Sequence, residues 1–280
     1  MPHLSRWRSR PCFALLLLLA SLPACAQDAP SRVSGLEDFT SAFDAVPCED
    51  SARQAGVKAL FEAAGAKASD LTVDQFGHVE NLVLVKPGAT AEKIVIGAHY
   101  DKVSAGCGAI DNWTGLVAIS QLYRTLRDIP LNKTLVFVAF GREEKGLVGS
   151  RAMTKAMSDA DIAQTCAMIN IDSLGLGPPQ VADNMSSKKL AALAGELAKE
   201  LDIPFARATI SRGNSDSSSF VVKRIPAVTI HGLNNDWSTI LHSRHDQAAK
   251  VNHASVYLGY RLALAMLVRL DASACDAYRQ

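Results

Sequence analysis

The chain has 280 residues, 48% of them hydrophobic and 20% charged, with a formal net charge of +1. That length suits one large α/β domain or two small ones, and the balanced, scattered Lys and Arg argue against a nucleic-acid or membrane-surface partner. Strand-like and helix-like segments alternate without a low-complexity linker or a fixed-period repeat, which favours a single domain.

At the N-terminus, Arg6, Arg8 and Arg10 precede an apolar run over 13–22 that ends in Pro23-Ala24-Cys25-Ala26. This pattern predicts an export signal over 1–26, too short for a mature membrane anchor, and a mature chain of 27–280. Ala24-Cys25-Ala26 fits simple cleavage before Gln27, whereas Leu22-Pro23-Ala24-Cys25 resembles a lipobox that would leave Cys25 lipidated, although proline is unusual there. Both readings place the protein outside the cytoplasm, periplasmic or secreted in the first case and tethered as a lipoprotein in the second. Residues 27–36 read as a polar, mobile tail.

Helical periodicity covers 37–46 and 49–66, the second segment ending at Gly65. LTVDQFGHVENLVLVKPG alternates apolar and polar residues around Gly77, which predicts an antiparallel hairpin at the outer part of a sheet, with His78 a surface residue at its turn. KIVIGAHYD, TLVFVAFGREE and CAMINIDSLG are β-branched runs of the kind found in strands buried on both faces. LVAISQLYRTLRD follows the first as a helix, and Asp111 at its start is also a candidate helix cap. Further helices are expected over 186–201 and 253–270, with ISRGNSDSSSF a polar loop and IPAVTIHG another strand. The expected fold is α/β, a mixed and mainly parallel sheet flanked by helices.

Outside the signal region lie Cys48, Cys107, Cys166 and Cys275, an even number that predicts two disulfides in an exported chain. Cys166 opens a strand and so lies about 20 Å from the edge where the strands end. Cys107 is on a loop at that edge, which argues against pairing it with Cys166, and the expected pairs are Cys48 with Cys107 and Cys166 with Cys275.

The polar residues of the strands cluster at their C-terminal ends, the edge where open α/β sheets bind ligands. His99, Asp111, Glu144, Asp172 and His242 gather there, with Glu143 directly before one of them. Two His and three carboxylates suit a pair of zinc ions bridged by one carboxylate, while an all-oxygen set would favour magnesium or calcium. Such a pair makes water acidic near neutral pH, and Glu143 is placed to take the proton and pass it to a leaving amine. Asp101, two residues after His99, is a candidate to accept the second ring N–H of that histidine. Asp246 either does the same for His242 or caps a helix, and His245 is a second candidate for the ligand role of His242. His231 and His253 read as structural histidines.

HYD at 99–101, IDN at 110–112, EE at 143–144, NID at 170–172, SD at 215–216 and HSRHD at 242–246 occur in the order seen in the secreted co-catalytic zinc aminopeptidases, and over 45–270 the chain resembles that family. The resemblance implies a phosphorylase/hydrolase-like sandwich in which His99, Asp111 and Asp172 hold one zinc and Asp111, Glu144 and His242 the other. It implies Glu143 as general base and a cis peptide from Asp111 to Asn112. Three positions depart from the family pattern: Leu241 replaces a common Tyr that helps stabilise the oxyanion, Ser217 replaces His, and Ser173 replaces Met.

The expected function is therefore that of an exported aminopeptidase that hydrolyses the N-terminal bond of peptide substrates. Arg212 or the 214–219 loop would shape the substrate pocket. Glutaminyl-peptide cyclotransferases, with a similar ligand set around a single working zinc, resemble the same family and remain an alternative. A non-catalytic ectodomain is disfavoured because all five ligand positions are intact. A two-metal phosphoesterase would need a phosphate-binding basic or Gly-rich loop that the chain lacks.

Overall fold

The three β-branched runs form the middle of an eight-stranded sheet with order β1-β2-β4-β3-β5-β8-β6-β7. The computed structural model describes residues 32–211 and 213–279. The strands are β1 (Leu71–Phe76), β2 (Val79–Lys86), β3 (Lys93–His99), β4 (Thr134–Phe140), β5 (Thr165–Ile171), β6 (Gln180–Ala182), β7 (Ala206–Ala208) and β8 (Ala227–His231). β3 runs parallel to β4 and β5, and β5 runs parallel to β8. The β1–β2 hairpin adds antiparallel to β4, with Gly77 at φ +63° in its turn.

The period-two alternation of these strands feeds two cores. Ile94, Ile96 and Ala98 of β3, with Leu135, Phe137 and Ala139 of β4, face one side, while Val95, Val136, Val138 and Phe140 face the other. The first side is covered by α1 (Glu37–Thr40), α2 (Asp50–Ala63), α3 (Thr114–Leu126), α6 (Lys188–Glu200) and α9 (His253–Ala272). The second is covered by α4 (Val148–Ala156), α5 (Asp159–Gln164) and α7 (Ser217–Val222), whose Phe220 is fully buried. A last short helix, α8 (Trp237–Ile240), stands at the edge where the parallel strands end.

Both disulfides pair as expected, Cys48 with Cys107 and Cys166 with Cys275. No helix among the described residues is long and apolar enough to cross a membrane. The export signal and Cys25 lie outside the described residues, as does Arg212.

Three expectations change. Residues 32–36 are not a free tail: Ser34 is buried, its amide donating to the hydroxyls of Thr125 and Tyr260 and its own hydroxyl to Gln121 at 2.8 Å. The 37–46 helix is shorter and splits, with α1 giving way to a 3-10 turn over Ser41–Phe43. ISRGNSDSSSF is not all loop, since its serine-rich end forms α7, where tertiary burial of Phe220 overrides weak helix propensity. The short strands β6 and β7 at one end of the sheet, not expected from sequence, have too few residues to show a period.

Candidate metal centre

Because β3, β4, β5 and β8 are parallel, the segments that leave them emerge at one edge. His99 is the last residue of β3 and Asp172 the first after β5. Glu143 and Glu144 occupy a 3-10 turn after β4, reached through Arg142 at φ +59°. Asp111 lies in the irregular turn Ala109–Trp113 before α3, joined to Asn112 by a cis peptide as the family resemblance implies. His242 follows α8 and holds φ +58°, a left-handed conformation rare outside glycine.

All five predicted ligands are brought together. His99 Nε2 is 3.0 Å from Asp111 Oδ1 and 3.5 Å from Asp172 Oδ1. His242 Nε2 is 3.1 Å from Asp111 Oδ2 and 3.2 Å from Glu144 Oε2. The donor atoms form two overlapping groups, His99–Asp111–Asp172 and Asp111–Glu144–His242, each within 4.8 Å and sharing Asp111. His245 is in neither group and is exposed.

A cation pair fits this donor set. Three carboxylates converge with only two imidazoles to offset them, and Glu144 Oε1 is buried without a hydrogen-bond partner. Mixed imidazole and carboxylate donors suit zinc. Without a cation the group holds itself together by charge. Burial disfavours the His99 imidazolium, yet Asp101, Asp111 and Asp172 outweigh it and raise its pKa well above the ordinary value. Hydrogen bonds to Asp111 and Glu144 push His242 up to about 10. Burial works against the Asp111 carboxylate, but the two histidines hold its pKa far below the carboxylate range.

Glu143 has different surroundings. Burial, opposed by His99 and reinforced by Asp216, Asp172 and Asp111, pushes its carboxyl up to about 10. Asp216, fully buried with both oxygens unpartnered, is pushed up to about 7 by its own burial.

Two supporting carboxylates act differently from expectation. The Asp101 carboxylate lies 3.7 Å from His99 Nδ1, whose nearer partner is the Asp101 backbone carbonyl at 3.2 Å. That carboxylate instead accepts the backbone N–H groups of Glu143 at 2.8 Å and Glu144 at 3.1 Å, so it sets the turn that carries both glutamates. Asp246 neither supports His242 nor caps a following helix. It accepts the amides of Ile110 at 2.7 Å and Asp111 at 3.1 Å, tying the His242 loop to the Asp111 turn.

Ser215 and Arg53 had no assigned role at the centre from sequence. The Ser215 hydroxyl donates to Asp172 Oδ2 at 2.5 Å and accepts from Asn170 Nδ2 at 2.6 Å; its place in the SD motif was the available signal. His231 is buried at the end of β8, where Nδ1 accepts the Leu233 amide and burial lowers its pKa to about 4. His78 is exposed and the His253 ring stacks on Phe43, and neither belongs to the two donor groups.

A cavity of about 340 Å³ opens onto the centre, its apolar wall made by Met185, Ile210, Leu233, Trp237 and Leu241. Leu241 thus packs where the family's common Tyr would offer a hydroxyl.

The model of peptidase family M28 matches residues 81–266. Leucine aminopeptidase 2 of Trichophyton rubrum is 27% identical over 179 residues, 56% of this chain and 35% of that protein. The chain spans about a third of the length of the Trichophyton leucine aminopeptidase 2 proteins it matches. The LapA aminopeptidase of Legionella pneumophila superposes with a TM-score of 0.71 at 21% identity, over 85% of this chain and 71% of that one. A glutaminyl cyclase from an Acidobacteriales bacterium superposes with a TM-score of 0.70 at 19% identity, over 90% of this chain and 99% of that one. At such identities the two structures establish a shared fold.

Proposed function

The chain belongs to peptidase family M28, and from that premise we propose that it is a zinc exopeptidase, an aminopeptidase that hydrolyses the N-terminal bond of peptides. The observation that carries this reading is the pair of donor groups sharing Asp111, an arrangement suited to two zinc ions bridged by one carboxylate. His99, Asp111 and Asp172 would hold one ion and Asp111, Glu144 and His242 the other.

When bound, the ions would acidify a water and polarise the scissile carbonyl. The protein's own residues do the rest. Glu143 faces the centre without serving as a ligand, so it is free to take a proton at its carboxylate and return it to the departing amine. Its ionised form would be favoured with cations bound, against the burial that raises its pKa. Asp101 fixes the backbone of Glu143 and Glu144, so that base and ligand keep their separate directions. The carboxylates around the centre provide a place for a substrate's free ammonium group, and the apolar wall, with Asn214 and Ser215 beside it, receives the first side chain.

Two disulfides fit an oxidising compartment, which supports export through the N-terminal signal. The catalytic domain then follows the signal in a mature chain that starts at Gln27 if free or at Cys25 if anchored there as a lipoprotein.

A second reading is glutaminyl-peptide cyclisation, favoured by the near-complete mutual coverage with the cyclase structure. Peptides with free and acetylated N-termini, including one beginning with Gln, separate the two by mass spectrometry. The aminopeptidase reading expects loss of the first residue from free N-termini alone. Equal cleavage of both forms, or release from the C-terminus, would reject it. Loss of ammonia from the Gln peptide without loss of the residue would establish the cyclase.

A further inference from the structure

Arg53, in the first half of α2, is fully buried and, among the described residues, has no carboxylate as a hydrogen-bond partner. Its guanidinium instead donates to four backbone carbonyls. Nε reaches Tyr100, Nη1 reaches Pro47 at 3.3 Å and Cys107 at 3.0 Å, and Nη2 reaches Gly108 at 3.2 Å. The guanidinium carbon also stands 5.1 Å from the centre of the Trp113 ring.

These contacts bracket the metal centre in sequence. Tyr100 directly follows His99, Cys107 and Gly108 precede Asp111, and Trp113 follows it. One planar fork therefore ties the exit of β3 to both flanks of the turn that carries the shared carboxylate. The loop is shaped to fit: Gly108 has φ +59°, and a Cβ there would stand 2.7 Å from the Asp111 carbonyl and 3.3 Å from Arg53 Nη1. On the far side Cys107 N–H donates to the Asp246 carbonyl at 2.8 Å, and the Cys48–Cys107 disulfide fastens the same loop to the segment before α2. Burial lowers the Arg53 pKa to about 10 against the pull of Asp111 and three other aspartates, so it stays charged at neutral pH.

We propose that Arg53 is a positioning residue for Asp111, holding the 100–113 loop so that the shared carboxylate is presented before a metal ion arrives. The inference rests on the metal-centre reading above. Lysine cannot replace the fork, because one ammonium cannot span four carbonyls on three segments.

The test measures zinc affinity by chelator competition in the full chain carrying Arg53→Gln or Arg53→Lys. Phe61→Leu, a core change in the same helix away from the loop, serves as the stability control. Both Arg53 variants are expected to weaken at least one zinc tenfold or more, with the control keeping wild-type affinity at a similar loss of Tm. Affinity within twofold of wild type in Arg53→Gln, or an equal loss in the control, would overturn the proposal. Hydrogen exchange on the metal-free wild type covers variants that do not fold: the Trp113 amide, which donates to the Gly108 carbonyl that Arg53 also holds, should be protected before zinc is added, and free exchange there would also overturn it. A wild-type chain that binds no zinc would reject the metal-centre reading, whereas the exchange result bears on the loop alone.

Discussion

Glu143 and Glu144 are adjacent in sequence and differently placed at the centre. Glu144 points Oε2 at His242 and leaves Oε1 buried and unpartnered, which suits a metal ligand. Glu143 is held near the same centre, where burial and the surrounding acidic groups favour its proton. Glu143→Gln keeps the size and removes the base, so kcat should fall by about 10²–10⁴-fold while two zinc ions remain bound. Elemental analysis alongside steady-state kinetics checks both halves, and a preserved kcat would remove Glu143 from the mechanism. Asp111→Asn acts on the other function. Both Asp111 oxygens face a histidine, so replacing one with an amide should cost at least one zinc per chain together with activity. An unchanged metal content would show that Asp111 does not bridge.

At the scale of elements, the two disulfides make different contributions. Cys166–Cys275 joins the start of β5 to the chain just beyond α9 and closes a loop of 109 residues, at the opposite end of the strand from Asp172. In the chain-entropy view a loop of that length is worth about 5 kcal/mol. A Cys166→Ser/Cys275→Ser double variant should lose about that much stability in denaturant melts while its folded fraction binds zinc like wild type. Loss of metal affinity in that variant would contradict the separation of staple from site. This contrast also marks what was legible in sequence. β3, β4, β5 and β8 announced themselves because burial on both faces demands unbroken β-branched runs, and their parallel direction then placed His99 and Asp172 at one edge. α7 and Ser34 did not, because long-range packing on Phe220 and hydrogen bonds to Thr125 and Tyr260 decide their state. The same holds for Arg53 and for the real partners of Asp101 and Asp246. Each acts on backbone N–H or C=O groups, which carry no side-chain signature for a motif to display.

Across the whole molecule, burying several acidic groups around two histidines makes stability depend on pH in a direction that metal should change. His242 rises from 6.5 to about 10 in the folded metal-free chain, so its stabilisation is full below 6.5 and is lost as pH rises through 10. The raised His99 acts in the same direction. Glu143 rises from 4.5 to about 10, and an acid that prefers its proton when folded is likewise penalised as pH climbs through that interval. His231 has the opposite sign, being lowered to about 4, but its contribution is lost only below 6.5, outside this window. The metal-free protein should therefore become steadily less stable between pH 6.5 and about 10. Zinc needs the imidazoles neutral and the carboxylates ionised, so it competes with the very protons that stabilise the metal-free form. Its stabilising effect should grow across the same window, reaching about 4 kcal/mol where free zinc exceeds Kd a thousandfold. Tm measured at several pH values, with zinc and with a chelator, gives the comparison directly. A chelated protein whose Tm climbs with pH, or a zinc increment that shrinks, would mean that these protons and the metal do not share one site.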